Sequence, residues 1–192
     1  MSTPTFERPF PALTAAQRYY LDAFGYVVIQ DTLTLEDVGK LKESLFRLRY
    51  ELTQLPNPSS TGPGRHGAFL LKSEPYHHFM ANIVEFDPIV TAYATHPLLV
   101  SMAEELIGGE ARIVEMNAHI NSRIPQEDLN ASSPYRFHRG TDIPFGTHTK
   151  NGLFHCNFVK TLTNLTDLGP DDGGTVAIAG SHKIDAPTED IV

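Results

Sequence analysis

The side chains able to do metal or acid–base chemistry gather in the second half of this 192-residue chain, where five of the nine histidines and the only cysteine, Cys156, lie beyond residue 110. His138 is followed by Arg139, Gly140, Thr141 and Asp142. An imidazole and a carboxylate are donors that borderline divalent metals accept. Four extended residues span about 13 Å, so His138 and Asp142 reach one ion only if the chain turns back at Gly140, which a glycine allows. His148, His155 and Cys156 offer a nitrogen and sulfur set of the zinc type. The plainer reading of each is structural. His148 lies in Gly146-Thr147-His148-Thr149-Lys150-Asn151-Gly152, which reads as a solvated loop, and His155 alternates with apolar residues as an interior hydrogen-bonding histidine would. Asn117 and Asn121, four apart on a strand-like segment, project from one face. Arg139 and Lys160 are cations that could meet an anion.

These groups need a frame. Thr14 and Gln17 have the spacing of a capping box and predict a helix over 15–23. Gly25 allows a turn, and Tyr26, Val27, Val28 and Ile29 read as a buried strand. Thr34 caps a second helix, on which Leu35, Val38, Leu41, Leu45, Leu48 and Leu52 recur at three and four. Proline, glycine and serine fill 54–67, an exposed loop and candidate flap. Helical character is expected over 79–100 with breaks at Pro88 and Pro97, and 98–107 ends as a helix at Gly108 and Gly109. Beyond Glu110, 111–120, 153–162 and 175–179 are strand-like, and Asp167 to Gly174 is a tight acidic reversal between strands. It lacks the glycine and distant glutamate positions of an EF-hand loop. Helices first and strands afterwards give an α+β domain, with a helical part over 1–109 and a β-rich part over 110–192.

Composition narrows the class. A chain this long carries one domain with a core. A net charge of −8 without a lysine and arginine cluster excludes nucleic acid as an expected partner. A single cysteine rules out an internal disulfide framework and suits a reducing compartment, so the cytoplasm is expected. No apolar run approaches the roughly 18 residues of a membrane span, and no signal-peptide pattern opens the sequence.

The series Leu165-Thr166-Asp167, Asp172-Gly173-Gly174 and Gly180-Ser181-His182-Lys183, read with Phe137-His138-Arg139-Gly140, resembles the phytanoyl-CoA dioxygenase family of Fe(II)- and 2-oxoglutarate-dependent oxygenases. The opening Phe24-Gly25-Tyr26-Val27-Val28 with its Thr34-capped helix is similar as well. The resemblance implies a double-stranded β-helix, or jelly roll, with N-terminal helices. It implies iron held by His138 and 2-oxoglutarate held by Asn117 and Asn121, for hydroxylation of a small organic substrate. The family's ligand pair is His-X-Asp, and here Gly140 stands at the acid position. Asp142 is then the substitute ligand; or a halide takes the vacant position, as in related halogenases; or the barrel is a catalytically silent binding module. In the family, His182 corresponds to a position that is not a ligand. The second iron histidine and the arginine that clamps 2-oxoglutarate are due beyond Val192, so a chain truncated at the C-terminus and prone to associate is expected.

Overall fold

The computed structural model describes residues 12–59, 66–124, 137–138, 146–150, 152–169, 172 and 174–184. Helix α1 spans Ala15–Phe24 and begins as expected: Thr14 Oγ1 accepts from Gln17 N at 3.2 Å while Gln17 Oε1 accepts from Thr14 N at 2.9 Å. It stops at Gly25, whose φ of 81° lets its N–H reach Leu21 O. Helix α2 spans Leu35–Thr53, with Thr34 accepting from Asp37 N and with Glu36 and Asp37 favourably placed in the first turn. Helix α3, Pro88–Ala94, starts under an Asp87 cap, and helix α4, Pro97–Ile107, ends on left-handed Gly108. Proline at the first helical position costs neither of these helices a bond, because that N–H has no partner within the helix.

Strands β1, Phe69–Glu74, β2, His77–Ala81, and β3, Ala118–Asn121, form an antiparallel sheet in the order β1-β2-β3. Strands β4, Thr147–Lys150, and β5, Leu153–Cys156, form a separate antiparallel hairpin. The architecture is α+β. Helix α2 buries Leu41, Leu48 and Leu52 against Leu70 of β1, Met80 of β2, Ala118 of β3, Ile83 and Val90. Burying each leucine contributes roughly 2 kcal/mol. A second cluster joins Leu13, Met102 and Leu106 to Leu21, Ile29, Cys156 and Val159, so α1, α4 and β5 pack together.

Several expectations are corrected. Residues 26–29 form no strand: they join no ladder among the described residues, with Val28 72% exposed, and a β-branched run without a neighbouring strand has no ladder to join. Phe79 to Ala81 belong to β2 and are not helical, so the part over 1–109 contains a hairpin. Residues 147–150 are β4, not a loop. The strand-like segments are shorter than expected: β3 takes only 118–120 of the first and adds Asn121, β5 takes only 153–156 of the second, and 175–179 are irregular. Loop character holds at 54–59 and 66–67; residues 60–65 of the expected flap lie outside the described residues. No helix among the described residues is long and apolar enough to cross a membrane.

Candidate functional site

Among the described residues, α2 packs on one face of the three-stranded sheet and the opposite face, with His119 and Asn121 exposed, is open. Register decides which residues stand on the open face. Lys72 lies opposite Phe79, Glu74 opposite His77, Phe79 opposite His119, and His77 opposite Asn121. Alternation therefore puts Lys72 and Glu74 of β1, His77 and Phe79 of β2, and His119 and Asn121 of β3 together, while Leu70, Met80 and Ala118 point into the core. Lys72 Nζ and Glu74 Oε1 pair along one strand at 3.0 Å.

At the centre of this face, His77 Nε2 and His119 Nδ1 are 3.0 Å apart. The ring centroids are 5.3 Å apart and the planes are within 17°. Most of that separation is the nitrogen-to-nitrogen distance, so the imidazoles meet edge to edge. One nitrogen donates and the other accepts. The face of His119 lies on Phe79, with centroids 4.1 Å apart. Burial pushes the pKa of His77 below its ordinary value; Lys72 adds to the push and Glu74 opposes it. Burial, then His77 and Lys160, also push His119 down. Both imidazoles are therefore biased toward the neutral form, which accepts protons and ligates metals.

Asn121 ends β3 in exposed surroundings. Asn117 immediately precedes β3 and is half-buried; its Oδ1 accepts from Asn82 N at 3.4 Å, which leaves its NH2 as the donating end. The two expected amides thus bracket one short strand, with His119 between them. His138 is described and exposed, whereas Gly140 and Asp142 lie outside the described residues, as does Arg139. Among the described residues no three histidine, cysteine, aspartate or glutamate side chains cluster as a metal site would. For the zinc-type set, the hairpin places His148 opposite His155. Burial pushes the Cys156 thiol up, so it is a neutral thiol near pH 7 and not a ready thiolate ligand.

Sequence reasoning missed His77 and His119. His119 could have been found, since 117, 119 and 121 share a parity on one strand. His77 joins them only through the register of a hairpin whose turn, Pro75 and Tyr76, lacks the usual glycine or asparagine signal.

The acidic reversal closes on itself: Gly169 N donates to Asp172 Oδ2 at 2.8 Å, and Asp172 N donates to Gly169 O at 3.3 Å. Arg123, just past β3, reaches Asp172 Oδ1 at 2.6 Å and ties the turn to the end of the strand that carries Asn121. His182 Nε2 lies 3.0 Å from Asp22 O near the end of α1. No family model matches this chain, and neither a curated protein nor a solved structure matches it.

As a test of fit, the open face offers imidazole and amide donors with the ammonium group of Lys72 at its edge and that of Lys160 close enough to act on His119. Such groups can engage a carboxylate. Of the expected iron ligands, the described residues include only His138.

Proposed function

We propose that this chain is a cytoplasmic Fe(II)- and 2-oxoglutarate-dependent oxygenase of the phytanoyl-CoA dioxygenase type, hydroxylating a small organic substrate on a jelly-roll core. The observation that carries the reading is Asn117 immediately before β3, with His119 and Asn121 on that strand of a helix-backed antiparallel sheet. The motif resemblance assigns the keto acid to Asn117 and Asn121.

In this reading His138 and Asp142 hold the metal, and Asn117 and Asn121 orient the keto acid through their amide groups. Iron, when bound with its co-substrate, supplies the oxidising power needed at an unactivated carbon. The chain's own work is placement. Phe79 fixes the plane of His119, and Arg123 anchors the acidic turn beside β3. Gly140 at the usual acid position favours a second outcome, halogenation, in which a halide takes the vacant ligand position.

The test is anaerobic titration of the protein with Fe(II) and 2-oxoglutarate, followed by the visible charge-transfer band. A band abolished by His138→Ala supports the oxygenase reading, and a band that depends on chloride selects the halogenase. Absence of any band in the wild-type chain means a silent binding module.

A further inference from the structure

We propose that His77 and His119 form a dyad that carries at most one added proton, and that this proton gates the binding of a small carboxylate on the open sheet face. The geometry comes first. Two nitrogens 3.0 Å apart and edge to edge share one hydrogen, and a second added proton would set two N–H groups head to head with no acceptor between them. His119 is stacked on Phe79, and His77 sits in a register fixed by β1 on one side and β3 on the other.

The surrounding charges define the ligand. Lys72 and Glu74 approach from β1, and Lys160 acts on His119 from the segment after β5 while pairing loosely with Glu115 at 3.7 Å. His78, next on β2, is turned toward α2 and feels Arg49 there. With the dyad neutral, each lysine has a carboxylate neighbour and the face is close to balanced. With one proton added, the imidazolium has only Glu74, which Lys72 already engages, and the face gains a positive centre beside the Asn121 amide. A small carboxylate supplies the missing charge and accepts from both. Linkage then runs both ways: the anion raises proton affinity and the proton raises anion affinity.

This deepens the oxygenase reading, because 2-oxoglutarate is a dicarboxylate, yet it requires no iron. The experiment follows the histidine Cε1–H resonances of the full chain from about pH 5 to 8, with and without succinate as the probe. The expected result is one shared step for His77 and His119, moved to higher pH by succinate. Succinate affinity should weaken about tenfold per pH unit above that step. The double variant His77→Gln/His119→Gln should remove the pH dependence, whereas His138→Ala should leave it intact while abolishing the iron band. Two independent steps in the wild-type chain, or succinate binding that is indifferent to pH, would overturn the proposal, and neither result depends on a variant folding. A succinate linkage that persists when no iron band forms would sink the oxygenase reading and leave this inference standing.

Discussion

Arg18 of α1 and Glu105 of α4 meet at 3.0 Å with side chains only 10% and 6% exposed. The second oxygen of Glu105 accepts from Ala12 N at 2.6 Å and from Leu13 N at 2.9 Å. One carboxylate therefore positions the entry to α1, pairs its first turn and joins it to α4. Removing it leaves a buried guanidinium and two backbone donors without this partner. Glu105→Ala is expected to cost about 3–5 kcal/mol in urea unfolding. Glu105→Gln, which keeps an acceptor, is expected to cost less. A loss below about 1 kcal/mol for the alanine variant contradicts this role.

Asp87 caps α3 and pairs with Arg47 of α2. The Ile89 N–H hydrogen bond, with Arg47 behind it, holds its carboxyl below the ordinary value. Because the folded pKa is the lower one, the stabilisation is present above the ordinary value of 3.8 and is lost as pH falls through the folded value. Asp87→Ala is expected to cost about 1–2 kcal/mol at neutral pH. Unfolding of the two proteins across the acid range should show the difference shrinking toward low pH; a constant difference contradicts the argument.

The open sheet face carries the opposite charge logic. His77 and His119 have folded pKa values below the ordinary 6.5, so the unfolded chain binds more protons as pH falls through that value. Stability is expected to decline below about pH 6.5 until the folded dyad itself takes its proton. His119→Gln should make the profile flatter over that window. A variant whose acid profile parallels the wild type removes the dyad as a source.

Gly25 has φ of 81°, and a Cβ placed there would lie 2.4 Å from His182 Nδ1. Gly25→Ala should therefore destabilise by about 1–3 kcal/mol through backbone strain and displacement of the imidazole. Adding His182→Ala should restore only the steric part. Equal losses in the single and double variants would show that the close approach does not matter.

The helices were legible because local chemistry marks them: Thr14 with Gln17, Thr34, Pro88, Pro97 and Gly108 are each readable within a few residues. The hairpin of β1 and β2 was not, for two local reasons. Leu71 is bulged out of register between Leu70 and Lys72, breaking the alternation, and Pro75 with Tyr76 gives no strong turn signal. The hairpin of β4 and β5 had such a signal in Asn151-Gly152, with Gly152 at φ 75°, and should have been found. Strand-like composition over 26–29 misled because pairing is a property of neighbours. For the same reason Asn117 and Asn121 could be picked out one strand at a time, while His77 depended on knowing what lies beside that strand.

The Gly180 turn returns to the end of α1, where Gly180 N donates to Phe24 O at 2.9 Å, His182 approaches Asp22 O and Lys183 faces the Asp22 carboxylate at 3.4 Å. This clasp joins positions about 160 residues apart. Loop-closure entropy opposes so distant a contact until the intervening chain is organised, so it should form after the folding barrier is crossed. Weakening it should then accelerate unfolding and leave the folding rate nearly unchanged, making the clasp a determinant of how long the native state lasts.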